Sequence, residues 1–252
     1  MPMPTANAHI SVRDLTMAYD GRAIMEGLNF DIFRKEIFVI MGGSGCGKST
    51  LLRHLIGLQQ PASGEIHLNG KNFSDAPGRM QEAMLRHFGV MFQSGALWSS
   101  LTLAENVALP LREYTRLGAA EINEIVRYKL ALVGLAGFED YYPAQISGGM
   151  IKRASLARAM ALDPQVLFLD EPGAGLDPVT SRLLDDLILQ IRDSLGETVV
   201  IVTHELESIY AIADRALFLD VATRTAGALG PPGELRDHAG NPRVRQFLRR
   251  QI

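Results

Sequence analysis

The sequence predicts an α/β fold built around a mainly parallel β-sheet. Three compact apolar runs, at 166–169, 199–202 and 216–219, alternate with helical segments, as parallel βαβ units require. A further run, Ile37–Met41, is apolar throughout, which is typical of a strand buried on both faces. With 252 residues, 47 % of them hydrophobic and 21 % charged, the chain suits one large domain or two small ones.

Charge and cysteine content exclude several classes of protein. Lys and Arg number 25 against 28 Asp and Glu, and the net charge of −3 supplies no basic field for nucleic acid. Cys46 is the single cysteine, which excludes an internal disulfide framework and indicates a reducing compartment. The first nine residues lack a basic run and an apolar segment, and no stretch reaches about 18 apolar residues. We therefore expect a chain that is neither secreted nor membrane-spanning and has no nucleic-acid partner.

Antiparallel structure is predicted around the first buried strand. β-like runs at 10–12 and 28–33 are separated by Asp20-Gly21, a hairpin-type turn signal. A second hairpin is predicted at 64–73 around Asn69-Gly70, and a short strand at 88–92. The two hairpins form an antiparallel β subdomain beside the parallel sheet in the expected fold.

Residues 94–161 are predicted to be a helical insertion. Within 102–137, apolar side chains recur every three or four residues, which is typical of amphipathic helices. We expect a single domain over 1–252, with its core and antiparallel strands in 1–93 and 162–252. A linker is predicted at 227–240, where a Pro-Pro pair falls among glycines.

The strongest functional motif lies between the Ile37–Met41 strand and a helical run at 48–58. Residues 42–49 fit the G-x-x-x-x-G-K-[ST] pattern, whose glycines let backbone N–H groups converge on phosphate oxygens at a helix N-terminus. Lys48 is expected to reach the β- and γ-phosphates and Ser49 to hold Mg²⁺. Cys46 fits an inert loop residue better than a redox switch. The predicted nucleotide-binding residues here are Gly42, Gly43, Ser44, Gly45, Cys46, Gly47, Lys48, Ser49 and Thr50.

Two adjacent carboxylates end the 166–169 strand. Two adjacent carboxylates are not tolerated in a core unless a cation or a hydrogen-bonding partner compensates their charge. A nucleotide bound with Mg²⁺ would supply such a cation. Asp170 is expected to position Mg²⁺, and Glu171, just outside the sheet, to polarise the attacking water. The alternative is a pair that only caps the turn before Pro172.

A third motif completes a family pattern. Residues 146–150 read Ile-Ser-Gly-Gly-Met before a helical run, with Ser147 as a candidate N-cap. Lying between the phosphate loop and the carboxylate strand, this motif resembles the signature sequence of ATP-binding cassette (ABC) ATPases. The resemblance spans residues 10 to about 235. It implies a P-loop NTPase (RecA-like) core with an inserted α-helical subdomain, and an enzyme that hydrolyses ATP with Mg²⁺.

The same resemblance assigns roles to matching residues. Tyr19 matches the aromatic that stacks on adenine, with a core tyrosine as the alternative. Gln93 matches the Q-loop glutamine that senses Mg²⁺ and water, His204 the switch histidine at the γ-phosphate, and Asp177 ends the D-loop. The implied catalytic set is Glu171, His204 and Gln93, and the implied metal set is Ser49, Gln93 and Asp170.

The resemblance also implies a homodimer with two-fold symmetry. Two copies would pair head to tail, so that Ser147, Gly148 and Gly149 of one copy face the γ-phosphate held by Lys48 of the other. The helix after Gly149 then aims its positive end at that phosphate, so ATP itself stabilises the dimer.

Two departures from the commonest pattern narrow the resemblance. Met150 stands where most relatives carry glutamine. The segment 94–111, which follows Gln93, also departs from the commonest sequence of the family. Both features, and the end segment 241–248, resemble the Mla type, the ATPase of bacterial phospholipid transporters. That type works with a membrane permease and a mammalian-cell-entry (MCE) domain lipid-binding protein, which implies a peripheral subunit at the cytoplasmic face of the inner membrane. An importer ATPase for another small solute and a non-transport ABC ATPase are the alternatives.

Two surface features are left with alternatives. Leu97 and Trp98 follow the Q-loop, where the family docks a permease helix, but they could equally pack inside the helical insertion. Four arginines near the C-terminus, Arg243, Arg245, Arg249 and Arg250, fit a solvated helix end better than a lipid or nucleic-acid patch.

Overall fold

The computed structural model describes residues 8–19 and 21–249. The strands in these ranges are β1 (Ala8–Tyr19), β2 (Arg22–Phe33), β3 (Ile37–Met41), β4 (Ser63–Leu68), β5 (Lys71–Asn72), β6 (Phe88–Met91), β7 (Val166–Asp170), β8 (Thr198–Val202), β9 (Arg215–Asp220) and β10 (Thr225–Gly230). The helices are α1 (Lys48–Leu55), α2 (Gly78–Leu85), α3 (Leu103–Tyr114), α4 (Ala119–Leu132), α5 (Gly148–Ala159), α6 (Pro178–Leu195), α7 (Leu206–Ile212), α8 (Pro232–His238) and α9 (Pro242–Leu248). A 3₁₀ turn covers Pro143–Gln145.

A six-stranded sheet in the order β10-β9-β3-β8-β7-β6 forms the centre of the molecule. Its strands pair in parallel except β10, which runs antiparallel to β9 at one edge. The predicted α/β class and the parallel strands are confirmed. Because parallel strands all end at the same edge, the segments that follow β3, β7 and β8 come together there.

Both faces of this sheet are buried. Side chains alternate between faces along a strand, so Ile37, Val39 and Met41 enter one hydrophobic core with the helices of the insertion. Phe38 and Ile40 enter a second core with the antiparallel strands and α1. This double burial explains why the strand sequences are apolar at every position rather than at alternate ones.

A second, antiparallel sheet has the order β2-β1-β4-β5. The β1–β2 hairpin and the β4–β5 hairpin confirm the two predicted hairpins, although Asp20 of the first turn lies outside the described residues. In the second turn, Asn69 and Gly70 both have positive φ, 52° and 75°, as a tight hairpin turn requires.

The insertion between β6 and β7 is helical, as the apolar spacing predicts. Its first helix, α3, begins with a capping box, in which the Thr102 hydroxyl accepts from Glu105 N–H and the Glu105 carboxylate accepts from Thr102 N–H. Among the residues the structure describes, no helix is both long and apolar enough to span a bilayer.

The prediction of a linker at 227–240 is wrong. This segment forms the edge strand β10 and the helix α8. Gly227 is closely packed, because a Cβ there would lie 3.0 Å from Phe218 Cδ1 and would crowd that ring. Pro231 and Pro232 occupy the N-cap and first position of α8. Glycine and proline here serve close packing and helix initiation rather than flexibility.

A buried carboxylate, Glu197, lies just before β8. The residue is 5 % exposed, and its Oε2 has no hydrogen-bond partner within the described part of the chain. Burial raises the pKa of Glu197 from its ordinary value near 4.5 to about 7; Lys129 opposes this shift, and Asp163 adds to it.

We expect Glu197→Gln to stabilise the protein at alkaline pH. Because the pKa of Glu197 is higher in the folded protein than in the unfolded chain, the protonated carboxyl favours the folded state below pH 4.5. This contribution to stability is lost as the pH rises towards 7. Urea unfolding should therefore show the variant equal to the wild type at low pH and more stable at pH 8 by about 3 kcal/mol at most. The exposed Glu124→Gln is the control, and equal unfolding midpoints at pH 8 would contradict the prediction.

Candidate active site

A cleft of about 1160 Å³ opens at the carboxyl edge of the parallel sheet. The phosphate-loop residues 42–50 form one wall, and Gln93, Glu171 and His204 line it from three other loops. Residues far apart in the sequence are thus brought together at one edge of the sheet, where parallel α/β folds bind ligands.

Two glycines of the phosphate loop are fixed by geometry. Gly42 has φ 151°, and a Cβ there would lie 2.7 Å from Cys46 Sγ and 2.9 Å from the Leu219 carbonyl oxygen. Gly47, the N-cap of α1, has φ 90°. Cys46 is 1 % exposed and burial raises the pKa of its thiol, which agrees with an inert loop residue.

Lys48 places a cation at the start of α1. The residue is 9 % exposed, and its Nζ donates to the carbonyls of Gly42 and Gly43 at 3.1 and 3.2 Å. The ammonium therefore lies inside the curve of the loop, beside the positive end of α1. This arrangement matches an anion such as a phosphate.

Asp170 at the end of β7 and Ser49 in the first turn of α1 supply two neighbouring oxygen atoms. Asp170 Oδ1 is buried and has no hydrogen-bond partner within residues 8–19 and 21–249. Burial and the charge of Glu171 raise the pKa of Asp170, while Arg53, Lys48 and a hydrogen bond from Ser49 lower it. An unpartnered carboxylate oxygen beside a hydroxyl fits a hard cation such as Mg²⁺.

Glu171 and His204 form a hydrogen-bonded pair in the cleft. His204 Nδ1 lies 2.8 Å from Glu171 Oε1. The His204 side chain is 61 % exposed whereas Glu171 is buried, and Glu171 Oε2 has no hydrogen-bond partner among the described residues. A carboxylate with one oxygen fixed by a histidine and the other unpartnered can accept a proton from a bound water.

Tyr19 is placed at the end of β1 and does not line the cleft. It is 68 % exposed, so the alternative of a core tyrosine is excluded. Gln93 follows β6 and its exposed side chain lines the cleft.

The signature residues lie away from this chain's own cleft. Ser147 caps α5 by accepting from Met150 N–H at 3.3 Å, as predicted, and Ser147 and Gly148 are exposed. Gly149 is buried, and a Cβ there would lie 2.5 Å from Thr180 Cγ2 of α6. Its lack of a side chain therefore also serves helix packing.

Asp177 caps the other helix at this surface, α6. Its carboxylate accepts from Val179 N–H, Thr180 N–H and the Thr180 hydroxyl, and these hydrogen bonds lower its pKa. One chain does not bring Asp177 or the signature residues into the cleft lined by Lys48.

The cleft also contains residues that the sequence analysis did not single out. Asp185 of α6 accepts from the Ser208 hydroxyl of α7 at 2.8 Å, and burial raises its pKa to about 6. Glu205, next to His204, also lines the cleft. Neither residue belongs to a sequence motif that could be recognised by its spacing. Their places in the cleft become visible only when α6 packs against α7.

Leu97 and Trp98 differ in whether they pack inside the helical insertion or face outwards. Leu97 packs against the core of the insertion, whereas Trp98 is 60 % exposed. Asn106, which is fully buried, holds the loop beneath Trp98: its Oδ1 accepts from Trp98 N–H, and its Nδ2 donates to the Trp98, Leu101 and Thr102 carbonyls. The exposed indole is therefore presented on a loop that Asn106 ties to α3.

The C-terminal arginines have partners within the fold. Arg243 pairs with Asp220 at 3.3 Å, Arg249 with Asp237 at 3.9 Å, and Arg245 donates to the Ala239 carbonyl. Arg250 lies outside the described residues. These contacts agree with a helix end rather than a free basic patch.

A family profile described as ABC transporter matches residues 25–174, which include the phosphate loop, the signature motif and the carboxylate pair. The chain belongs to the ABC transporter family. This ABC cassette is 41 % identical over 98 % of its length to the probable ribonucleotide transport ATP-binding protein mkl of Mycobacterium leprae (strain TN), of which it covers 70 %. It is 39 % identical over 95 % of its length to the intermembrane phospholipid transport system ATP-binding protein MlaF of Escherichia coli (strain K12), of which it covers 88 %.

A solved structure has the same fold. The dimeric post-hydrolysis state of an ATP-binding cassette bound to ADP and Pi superposes with a TM-score of 0.80 at 28 % identity, covering 88 % of this chain and 98 % of the other. The predicted family, the P-loop NTPase fold and the ATP-hydrolase class are confirmed. The chain spans about two thirds of the length of the mycobacterial relatives it matches.

Proposed function

We propose that this ABC ATPase drives a phospholipid transporter. The similarity to MlaF carries the proposal, at 39 % identity over 95 % of this chain and 88 % of MlaF. Met150 and the segment 94–111 support the same assignment. The chain would act as a peripheral subunit at the cytoplasmic face of the inner membrane, with a permease and an MCE-domain lipid-binding protein as partners.

We place the following roles on the cleft. The N–H groups of the 42–50 loop and Lys48 bind the phosphates of ATP, and Tyr19 stacks on the adenine. Mg²⁺, bound with ATP by Ser49, Gln93 and Asp170, would neutralise part of the phosphate charge. Glu171 accepts a proton from the water that attacks the γ-phosphate, while His204 holds the Glu171 carboxylate in place.

The active unit is proposed to be a homodimer. Ser147, Gly148, Gly149 and Asp177 lie outside their own cleft, and a head-to-tail partner would bring the signature residues to the γ-phosphate of the other copy. Hydrolysis then removes the phosphate that joins the two copies and opens the dimer, which moves the permease.

Trp98 is the proposed permease contact. We expect Trp98→Ala to weaken binding of the membrane partner by roughly 30-fold, the effect of losing an aromatic anchor worth about 2 kcal/mol, without changing ATP affinity. The measurement is the amount of permease that co-purifies with the tagged chain. Tyr128→Ala, which removes another exposed aromatic from α4, is the matched control. Equal losses with both variants, or none with Trp98→Ala, would contradict the assignment.

The deciding experiment is gentle-detergent purification of the tagged chain from its native membranes, with mass spectrometry of the stoichiometric partners. A multi-spanning permease together with an MCE-domain protein supports phospholipid transport. A periplasmic solute-binding protein would overturn it in favour of a small polar cargo, and purely soluble partners would overturn any transport role. Stimulation of ATPase activity by a ribonucleotide other than ATP, with none by phospholipid, would overturn the proposed cargo.

A further inference from the structure

A buried lysine on the signature helix contacts two loops of the active site. Lys152 lies in the second turn of α5 and is 6 % exposed. Its Nζ donates to the Gln93 carbonyl at 2.5 Å and to the Glu171 carbonyl at 3.2 Å. One ammonium group therefore joins the helix that begins at Ser147 to the loops that carry Gln93 and Glu171.

Acidic side chains surround this ammonium. Burial lowers the pKa of Lys152, while the charges of Glu205, Glu171 and Asp170 raise it, Glu205 most. Glu205 follows His204, and its carboxylate packs against Gly173, where a Cβ would lie 2.4 Å from Glu205 Oε2. The carboxylate of the residue after His204 therefore favours the charged form of the same lysine.

The Glu171 backbone requires restraint. Its φ of 47° is unusual for a residue other than glycine, and it precedes Pro172, which favours an extended conformation at the residue before it. Such a conformation persists only when its surroundings fix it. Here the Glu171 N–H donates to the Val202 carbonyl at 2.8 Å and the Glu171 carbonyl accepts from Lys152.

The same helix also holds the loop after Gln93. Arg158 donates to the carbonyls of Gly95 and Ala96 at 2.9 and 2.6 Å. Gly95 packs directly on Ser155, since a Cβ there would lie 2.5 Å from Ser155 Oγ. The loop 93–96 is thus fixed to α5 at successive turns, with Lys152 nearest the cleft.

We propose that Lys152 is a positioning residue for hydrolysis, which orients Glu171 and ties it to the signature helix and the Gln93 loop. Displacement of α5 by a partner copy changes the geometry at Glu171 through this contact. The inference rests on the proposed role of Glu171 as the group that accepts the water's proton. Lys152 itself contacts backbone carbonyls and is expected to leave ATP binding unaffected.

The test compares three variants of the tagged chain, each purified with its membrane partners: Lys152→Met, Lys152→Arg and Lys129→Met. Their ATPase rates and their affinities for ATP are measured. Lys152→Met is expected to lower kcat about 10- to 100-fold, with KM and the Kd for ATP within about two-fold of wild type. Lys152→Arg, which retains the charge and the donors, should restore most of the rate. Lys129→Met, which removes another buried lysine whose Nζ lies 2.5 Å from Asp163 Oδ1, controls for the loss of any buried cation.

A double-mutant cycle with Glu171→Gln separates positioning from general damage. If Lys152 acts through Glu171, adding Lys152→Met to Glu171→Gln lowers the remaining rate by less than about three-fold. Additive losses, an unchanged kcat in Lys152→Met, or equal losses in Lys129→Met would overturn the inference. Rapid turnover by Glu171→Gln alone would instead overturn the role proposed for Glu171, so the two failures are distinguishable.

Discussion

Glu171→Gln is expected to bind ATP and hydrolyse it 10²- to 10⁴-fold more slowly, roughly the contribution of a positioned general base. Glutamine preserves the size of the side chain and its contact with His204 Nδ1, which lies 2.8 Å from Glu171 Oε1 in the wild type. It cannot accept the proton of the attacking water. Removal of a negative charge beside the phosphates leaves ATP affinity equal or higher.

The measurement compares single-turnover hydrolysis with the equilibrium binding of ATP. Slow hydrolysis with intact binding supports the role of Glu171, and the ATP-bound dimer should then accumulate. Glu234→Gln, which replaces an exposed carboxylate of α8 by a carboxamide, is the matched control. Near-normal turnover by Glu171→Gln would remove this residue from the proposed chemistry.

Much of the fold was predictable because its signals are local. The all-apolar strand Ile37–Met41 indicates burial on both faces, and the phosphate loop must follow such a strand and open a helix. Parallel strands end at one edge, so the placement of Glu171 and His204 in one cleft follows from the order of the strands. These features depend on chain connectivity and periodicity, which a single sequence contains.

Other features depend on contacts between distant segments. Lys152 is one basic residue in a helix with several, and only its distances to the carbonyls of Gln93 and Glu171 distinguish it. The glycines and prolines of 227–240 suggest flexibility until Gly227 is seen against Phe218. A spacing rule cannot identify a glycine needed for close packing, because its partner lies elsewhere in the chain.

Helix α5 connects the proposed base to the proposed permease contact. It contacts the Glu171 carbonyl through Lys152, and through Arg158 it also holds the loop that leads to Trp98. We therefore expect a change in α5 position to alter the geometry both at the proposed base and at the proposed permease contact. This physical connection can couple hydrolysis to movement of a membrane partner without any contact between this chain and the cargo.

Lys48→Ala is expected to abolish the ATP-dependent dimer. Lys48 is the cation inside the phosphate loop, with Nζ 3.1 and 3.2 Å from the Gly42 and Gly43 carbonyls. Loss of its charge-assisted hydrogen bonds to the phosphates should weaken ATP binding by about 3 kcal/mol, roughly 10²-fold. Because ATP is proposed to join the two copies, a chain that does not retain ATP cannot form the head-to-tail pair.

The dimer is best measured by light scattering after size exclusion, with and without ATP, in the Glu171→Gln background, where hydrolysis does not disperse it. Lys48→Met retains the aliphatic stem and separates loss of charge from collapse of the loop, so both variants should remain monomeric with ATP. Lys71→Ala, at an exposed lysine in β5, should dimerise normally. A dimer that forms equally with and without ATP would refute the proposal that nucleotide joins the two copies. A dimer that persists with ATP in Lys48→Met but not in Lys48→Ala would assign the defect to the shape of the loop instead of its charge.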